Sequence, residues 1–303
     1  MKRAQRLLAN RKVNMRLITL DTLPARLAVR AQDSHKGDYG SVGVLGGAPG
    51  MLGAALLAGR AALYCGAGRV YIGALDARLA VDPVCPELMI VAAEALPALP
   101  GPACLVVGPG LGVSSSARFA LESALRVDHA LLLDADALNL LARDGALLAA
   151  LQRRTATTIL TPHPGEAARL LGLDTHHIQA DRESAIQRLT ALTGATVVLK
   201  GHATLVQQPG QEIWCNSTGN PAMAAPGMGD VLTGVIAALM AQGLTAEQAA
   251  VLGVWVHGQA GDDAVAAECK KRPSPLGLTA SEVSLFARRT LGRLQSGESG
   301  DRN

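Results

Sequence analysis

The chain carries at residues 213–234 the stretch IWCNSTGNPAMAAPGMGDVLTG, in which a short apolar strand candidate leads through a Gly-rich loop into an apolar helix. Backbone N–H groups at such a helix start can bind an anion, because Gly227 and Gly229 carry no side chain and the helix dipole favours negative charge. Asp230 falls in the first helical turn, where its carboxylate could accept a proton from a substrate hydroxyl that attacks phosphorus. The same carboxylate could instead only cap the helix, so the short pattern leaves both interpretations open.

On either side of this stretch, from Ser41 to about Leu291, short aliphatic runs alternate with longer Ala- and Leu-rich segments. This alternation is typical of strands interleaved with helices, and several strand candidates are apolar on both faces, as in a covered parallel sheet. The predicted fold class is therefore α/β, with a central, mostly parallel sheet flanked by helices. The predicted strands cover residues 42–45, 69–72, 104–107, 130–133, 158–160, 196–199, 203–206 and 213–215, and the predicted helices cover residues 53–65, 115–125, 137–142, 166–171, 182–193, 231–242, 246–268 and 281–294.

Gly-rich or polar turns follow five of these strands, at residues 46–50, 108–112, 134–136, 161–166 and 200–202. Ligands of open α/β sheets bind beyond the carboxyl ends of the strands, so these turns predict a single cleft. Neither Gly-rich turn matches the dinucleotide fingerprint or the P-loop, which argues against a Rossmann dehydrogenase and a P-loop enzyme. Asp134 and Asp136 could bind a cation, but the sequence alone assigns them no catalytic role.

Two of these turns carry further candidate residues. Lys200 lies between two predicted strands, where it could meet a phosphate or be an ordinary surface lysine. Glu166 begins a predicted helix after a turn that two prolines stiffen, and it could hold magnesium through water while His163 hydrogen-bonds a substrate. A helix-terminal charge and a solvated histidine explain the same two residues without any ligand.

Composition excludes several classes of protein. The 303 residues include 28 basic and 25 acidic side chains, a net charge of +3 that is too small to indicate a nucleic-acid groove. The apolar runs are too short for a membrane span. The odd number of cysteines, without a C-x-x-C pair, predicts buried thiols in the cytoplasm rather than disulfides or a zinc site. These are Cys65, Cys85, Cys104, Cys215 and Cys269.

The two ends of the chain differ in composition from the rest. Residues 1–34 begin with a run rich in Lys and Arg, which we interpret as a frayed basic tail, although a transit peptide is an alternative. Residues 295–303 are rich in Ser, Gly and charge and are predicted to be disordered. The predicted domain is therefore 35–294.

Six motifs occur in an order found in one family. They are HKGDYG at 35–40, GMLGAA at 50–55, GPGLG at 108–112, TPHPGE at 161–166, LKG at 199–201 and GMGD at 227–230. With these motifs the chain resembles the ADP-dependent NAD(P)H-hydrate dehydratases, over roughly residues 35–294, and the wider ribokinase-like superfamily. The resemblance implies a three-layer sandwich with nucleotide and substrate at the carboxyl ends of the sheet.

The resemblance also implies an activity, the repair of damaged nicotinamide cofactor. The substrate would be the S epimer of NADH or NADPH hydrated at ring carbon 6, with ADP as co-substrate and Mg²⁺ as cofactor. A phosphoryl group would pass to the C6 hydroxyl and leave as phosphate, giving NAD(P)H, AMP and phosphate. The implied hydrate-site residues are Ala55, Gly110, His163 and the proton acceptor Asp230. The implied nucleotide-binding residues are Lys200, Gly201, His202, Ala203, Thr204 and Gly229, the implied anion hole is Gly227, Met228 and Gly229, and Glu166 could organise the metal.

Partners and alternatives follow from the same resemblance. Many bacterial relatives carry an N-terminal epimerase domain, and about 34 residues before His35 are too few for one, so a separate NAD(P)H-hydrate epimerase is expected. A homo-oligomer, as in tetrameric relatives, is also expected. The main alternative is a ribokinase-like kinase of a small alcohol such as a vitamin precursor, using the same Asp230 and anion hole. A nucleotide-binding regulator without chemistry is the second alternative.

Overall fold

The protein is built around one ten-stranded sheet. The computed structural model describes residues 15–99, 103–269 and 276–296, with side chains described up to residue 267 in the second range. The strand order is β1-β10-β9-β8-β7-β6-β5-β2-β3-β4, and every neighbouring pair is parallel except the two pairs made by β9. The strands are β1 Met15–Ile18, β2 Ser41–Gly46, β3 Arg69–Ala74, β4 Met89–Ala92, β5 Cys104–Val107, β6 Ala130–Leu133, β7 Thr158–Leu160, β8 Thr196–Leu199, β9 Leu205–Gln207 and β10 Ile213–Asn216.

Helices cover both faces of the sheet. They are α1 Leu52–Tyr64, α2 Ser115–Leu125, α3 Asp136–Arg143, α4 Gly145–Gln152, α5 Pro164–Leu171, α6 Thr175–Ala180, α7 Arg182–Thr193, α8 Met228–Ala241, α9 Ala246–Cys269 and α10 Ala280–Ser296. The core of one face contains α1, α8, α9 and α10, and that of the other contains α2 to α7. Successive residues of β5 alternate between the two cores, because side chains of a strand point to opposite faces. The predicted α/β class with a mostly parallel, helix-flanked sheet is confirmed.

Most predicted elements match the observed ones within three residues. Strands β5, β6, β7 and β8 and helices α2 and α7 have the predicted bounds. Two short strands, β1 and β4, and two short helices, α4 and α6, were not predicted. Both strands have half-exposed side-chain patterns, and β4 lies at the sheet edge, so neither presents the buried aliphatic run that marks the inner strands.

The prediction of a frayed tail over residues 1–34 is wrong for part of its length. Met15–Ile18 forms β1, which pairs in parallel with β10, and Ile18 is fully buried. The guanidinium of Arg16 stacks 4.5 Å from the ring centroid of Trp214, so a basic residue of the supposed tail packs on the sheet. At the other end α10 continues to Ser296, so the predicted disordered segment begins in a helix. Residues 1–14 and 297–303 lie outside the described residues.

Four of the five predicted buried thiols are buried, namely Cys65, Cys85, Cys104 and Cys215, and the side chain of Cys269 lies outside the described ones. Within the described residues, no helix is both long and apolar enough to cross a lipid bilayer.

Candidate active site

The candidate cleft lies where the carboxyl ends of the parallel strands β8, β7, β6, β5 and β2 stand side by side. The turns after β2 and β5 are joined by two backbone hydrogen bonds, in which Gly47 N donates to Pro109 O at 3.0 Å and Ala48 N donates to Gly110 O at 2.6 Å. Gly46 must be glycine because a Cβ there would lie 2.1 Å from Pro109 O. These contacts hold the two Gly-rich turns together as one wall of the cleft.

The start of α8 forms the opposite wall. Gly227 precedes the helix with a φ of +84°, and the first intrahelical bond is from Val231 N to Gly227 O at 3.0 Å. The amides of residues 228–230 therefore have no intrahelical acceptor, as is usual in a first turn. A Cβ at Gly229 would lie 3.2 Å from Lys200 Nζ, so these amides lie beside the Lys200 ammonium. Asp230 lies in the first turn, as predicted.

A buried ion pair forms the centre of the site. Lys200 Nζ lies 2.6 Å from Asp134 Oδ1 and 4.0 Å from Glu166 Oε2. The second oxygen of Asp134 accepts a hydrogen bond from Thr233 Oγ1 at 3.0 Å, and Thr161 also hydrogen-bonds to this carboxylate. The side chain of Asp134 is 2% exposed and that of Lys200 is 16% exposed. The pair thus links the ends of β6 and β8 to α8 through Thr233.

The two partners are charged in spite of their burial. Burial opposes the charge of Asp134, but the Lys200 ammonium and the threonine hydroxyls hold the pKa of Asp134 below its usual value. Burial likewise opposes the charge of Lys200, but the carboxylates of Asp134 and Glu166 raise the pKa of Lys200 above its usual value. Lys200 is therefore an ammonium at every physiological pH.

Two neighbouring carboxyl groups behave differently. Burial, followed by the negative charge of Asp134, raises the pKa of Asp230 to about 7, while Lys200 opposes this. Burial also raises the pKa of Glu166 to about 7, again against the effect of Lys200. Both groups titrate near neutral pH, which is a common property of general acids and bases in active sites.

His163 and Glu166 form a reciprocal cap at the start of α5. His163 Nδ1 accepts from Gly165 N at 2.9 Å and Glu166 N at 3.3 Å, and His163 N donates to Glu166 Oε2 at 2.8 Å. Since Nδ1 accepts, a neutral His163 carries its proton on Nε2. The helix-terminal role considered from the sequence is thus present, and Nε2 of the half-exposed imidazole lies 3.2 Å from Glu166 Oε1.

The loop before α8 is fastened to α9. Asp262 accepts hydrogen bonds from Gly219 N and Asn220 Nδ2, both at 2.9 Å, and Thr218 Oγ1 donates to Trp255 O at 3.1 Å. Gly258 leaves room for this loop, because a Cβ there would lie 2.2 Å from Thr218 Oγ1. Asp262 therefore positions the segment that leads into the first turn of α8.

The structure brings most of the predicted site residues together. Asp230, Gly229, Glu166 and His163 lie around the ion pair that Lys200 forms with Asp134. Gly227 lies beside Asp230, and Met228 is buried. Gly110 lies in the turn after β5, where a Cβ would be 2.3 Å from Met51 O. Ala55 lies in the first turn of α1 and packs against the turn after β2, since a Cβ at Gly47 would be 3.3 Å from Ala55 Cβ.

The turn 200–204 joins the antiparallel strands β8 and β9, so Lys200 lies between two strands as predicted. Thr204 Oγ1 donates to Gly201 O at 3.0 Å, and Ala203 has a φ of +56°, an uncommon conformation for a residue with a side chain. Arg182 fastens the turn by donating to Leu199 O and Lys200 O. Within the described ranges no contact connects His202 to the ion pair, so only the first residue of this segment reaches the cluster.

Sequence reasoning missed several residues of the site. Asp134 was noticed only as a cation ligand, and Thr233 and Asp262 were not considered. His257 on α9 was also missed: burial lowers its pKa to about 4, and its Nε2 atom has no hydrogen-bond partner among the described residues. The available clue for Asp134 was its position at a strand end. For the other three residues it was a polar side chain on an otherwise apolar helix.

The site offers few side chains that could bind a metal ion. In the described part of the chain no group of three His, Cys, Asp or Glu side chains could hold a metal ion by itself. Mg²⁺ is usually bound through one or two carboxylates together with substrate phosphates, so a preformed cluster is not required. The carboxylate of Glu166, close to the ammonium that faces the amides, fits that arrangement.

Comparisons with known proteins agree with one another. A family model described as NAD(P)H-hydrate dehydratase matches residues 42–279. An ADP-dependent (S)-NAD(P)H-hydrate dehydratase from Neisseria meningitidis is 43% identical over 243 residues, which cover 79% of this chain and 82% of that relative.

Solved structures give the same result. The ADP/ATP-dependent NAD(P)H-hydrate dehydratase of Bacillus subtilis, co-crystallised with ATP and Mg²⁺, superposes with a TM-score of 0.79 at 32% identity, covering 93% of this chain and 99% of its own. A ribokinase-like superfamily protein from Enterococcus faecalis gives a TM-score of 0.78 at 29% identity, covering 93% and 97%. The ribokinase-like fold implied by the motif order is confirmed.

Proposed function

We propose a function for this cleft from one premise: the chain belongs to the NAD(P)H-hydrate dehydratase family. It is an ADP-dependent dehydratase that repairs the S epimer of hydrated NADH or NADPH. ADP phosphorylates the C6 hydroxyl of the hydrate and leaves as AMP. Loss of phosphate from C6 and of a proton from C5 then restores the ring double bond. Phosphorylation is needed because phosphate is a far better leaving group than hydroxide.

The observation that carries this proposal is the position of Asp230. Its carboxyl group has a pKa of about 7 and lies in the first turn of α8, next to the amides of Gly227 to Gly229 and the Lys200 ammonium. In the reaction Asp230 takes the proton of the C6 hydroxyl as its oxygen attacks the β-phosphorus of ADP. The amides and Lys200 stabilise the charge on the transferring phosphoryl group.

The remaining predicted residues receive proposed roles on either side of that phosphoryl position. Ala55, Gly110 and His163 line the hydrate side, where the two joined Gly-rich turns lie. Residues 200–204 and Gly229 line the nucleotide side. The close approach of Gly110 to Met51 O supports a tight wall there, because any larger residue would displace the turn.

We propose Mg²⁺ as the cofactor, held by Glu166 through water and by the ADP phosphates. When bound, it would neutralise part of the phosphate charge. The relative from Bacillus subtilis was crystallised with ATP and Mg²⁺, which supports this assignment. Glu166 keeps its carboxylate oriented for such a role through the hydrogen bond from His163 N.

Three wider proposals accompany the reaction. Because only the S epimer is consumed, we expect an epimerase to supply it from the R form. We expect a homo-oligomer, following the sequence resemblance. The buried thiols support a cytoplasmic location.

The direct test mixes the purified protein, Mg²⁺ and the S hydrate of NADH with ADP or with ATP. Return of the reduced-nicotinamide absorbance together with AMP formed from ADP is the expected result. If neither nucleotide restores the absorbance while a small alcohol gains phosphate, the chain is a ribokinase-like kinase instead, and the hydrate-side assignments fail.

A further inference from the structure

Arg169 is an exposed residue of α5 that the proposed reaction does not use. Its side chain folds back toward the start of the helix, as helical side chains commonly do, and its Nη2 atom lies 3.8 Å from the position of a Cβ on Gly165. Gly165 is two residues after His163, which we place on the hydrate side of the cleft. The guanidinium of Arg169 therefore lies at the rim of the hydrate side.

A chain of hydrogen bonds holds this guanidinium in place. Arg169 Nη1 donates to Asn139 Oδ1 at 2.6 Å. Asn139 Nδ2 donates to Asp136 Oδ1 at 3.2 Å, and Asp136 Oδ2 accepts from Gly112 N at 2.8 Å. The chain joins α5, α3 and the Gly-rich turn after β5, so Arg169 is fixed relative to the wall of the cleft.

The guanidinium of Arg169 makes no direct ion pair within the described residues, and Glu166 is the carboxyl group whose pKa, raised by burial, the Arg169 charge lowers. Across residues 15–99, 103–267 and 276–296, no carboxylate lies within ion-pair distance of this guanidinium, and its hydrogen-bond partner is a neutral amide. The charge of Arg169 also affects the site, since burial, Lys200 and Arg169 together lower the pKa of His163. A guanidinium has five N–H groups, and most of those on Arg169 stay free to bind an anion.

The proposed reaction places two anionic ligands in one cleft. The phosphates of ADP belong with Lys200 and the amides at the start of α8. The hydrate is itself a dinucleotide, whose pyrophosphate joins the two ribose rings outside the nicotinamide ring. With the nicotinamide ring placed between Asp230 and His163, that pyrophosphate would extend toward the rim where Arg169 lies.

We propose that Arg169 binds the pyrophosphate of the dinucleotide hydrate, with Asn139 and Asp136 as the residues that position it. This rests on the proposed dehydratase function. A planar guanidinium can donate two parallel hydrogen bonds to phosphate oxygens, which a lysine cannot. The cleft thus has one cation for each nucleotide: Lys200 for ADP and Arg169 for the substrate to be repaired.

The test compares R169Q and R169K with the wild-type enzyme, using both the NADH and the NADPH hydrate. We expect R169Q to raise the KM for both hydrates by about 10- to 100-fold, since charge-assisted hydrogen bonds of this kind are among the strongest. The kcat and the KM for ADP should change by less than about threefold. R169K should be intermediate, and Asn139→Ala should raise the hydrate KM less than R169Q does.

The matched control is R153Q, which removes an exposed arginine between the end of α4 and the start of β7. Arg153 therefore lies on the side of the amino ends of the strands, away from the carboxyl ends that form the site. The R153Q variant should leave all constants unchanged. An unchanged hydrate KM in R169Q overturns the proposal, as does a rise confined to NADPH hydrate, which would mean that Arg169 binds the 2′-phosphate. A fall in kcat at constant KM also overturns it.

Failure of the proposed function gives a different pattern. In that case the wild-type protein converts no hydrate at all. Binding of NADH, followed by its fluorescence, then tests Arg169 separately, because NADH carries the same pyrophosphate. Weaker binding to R169Q than to R153Q supports the assignment, and equal binding overturns it.

Discussion

Two buried ion pairs of this protein differ in the number of other charged groups around them. Arg60 of α1 donates to both oxygens of Asp82, from Nε and Nη2 at 2.6 Å each, and Val84 N completes the coordination of the carboxylate at 3.0 Å. This pair is balanced: although burial opposes its charge, the contacts with Arg60 hold the pKa of Asp82 below its usual value. It fastens α1 to the segment between β3 and β4.

The pair of Asp134 and Lys200 lacks that balance. Glu166 and Asp230 share its single ammonium, and both have a pKa of about 7. The difference teaches how a structural pair is told from a catalytic one. A structural pair matches each charge and fixes its protonation, whereas a catalytic cluster holds more acids than its cations can neutralise and so keeps protons mobile near neutral pH.

The largest expected effect is on catalysis. Asp230→Asn removes the proposed proton acceptor from the unbalanced cluster, so turnover of the hydrate should fall by about 100-fold or more. Binding of ADP, measured by calorimetry, should be kept because the amides and Lys200 remain. Full activity in this variant would refute the role of Asp230, and D82N serves as the control that should retain kcat within about twofold.

The next effect is on stability and separates the two pairs directly. Asp82→Asn leaves the Arg60 charge without its carboxylate, so the free energy of unfolding should fall by about 3 kcal/mol in urea titrations. Asp134→Asn should cost less stability, because Lys200 retains Glu166 and Asp230 as counter-ions, but should lower kcat/KM by about 10-fold or more. If the two variants lost stability and activity equally, the proposed difference between the Arg60–Asp82 pair and the Asp134–Lys200 pair would be wrong.

A third effect concerns pH. The base must be deprotonated, so kcat/KM should rise with pH through a midpoint near 7, the pKa of Asp230. Asp134→Asn removes a negative charge that raises this pKa, so the midpoint should move to lower pH. Charged groups facing Asp230 include Lys200, Asp136 and Glu166 as well, and all three remain in the variant. A midpoint that stays in place would show that Asp134 does not tune the base.

The same pKa values predict how stability changes with pH. Asp230 and Glu166 are raised above the usual values near 4, so the folded state binds more protons than the unfolded state between about pH 4 and 7. Their stabilising contribution is complete below pH 4 and is lost as pH rises through 7. In thermal melts between pH 5 and 8, the D230N variant should therefore lose less stability than the wild type. Parallel curves of melting temperature against pH for the two proteins would contradict this.

The smallest effect tests one hydrogen bond of the cluster. Thr233→Val removes the donor to Asp134 Oδ2 and should destabilise the protein by about 1 kcal/mol, with kcat/KM falling a few-fold. Thr193→Val is the matched control, since Thr193 is also buried and donates to Leu189 O at 2.8 Å in α7. It should cost similar stability in thermal melts without changing kcat/KM. An equal change of activity in both would mean that the bond to Asp134 has no specific role.

The features that the sequence could predict are those with a local sequence pattern. Strands such as β5 and β6 are uninterrupted apolar runs, and Asp230 stands out because glycines precede it before an apolar helix. The Asp134–Lys200 bond joins residues 66 positions apart, which no local pattern contains. β1 was missed for a related reason, because its place depends on pairing with β10 rather than on its own hydrophobicity.

The pairing of β1 with β10 also constrains how the chain folds. Met15 is among the first described residues to be synthesised, yet its partner Ile213 follows most of the sheet. Contacts so distant in sequence form late, because the intervening chain must be closed into a loop first. During synthesis the amino-terminal strand must therefore wait unpaired until β10 has emerged, and we expect completion of this edge to be among the last steps of folding.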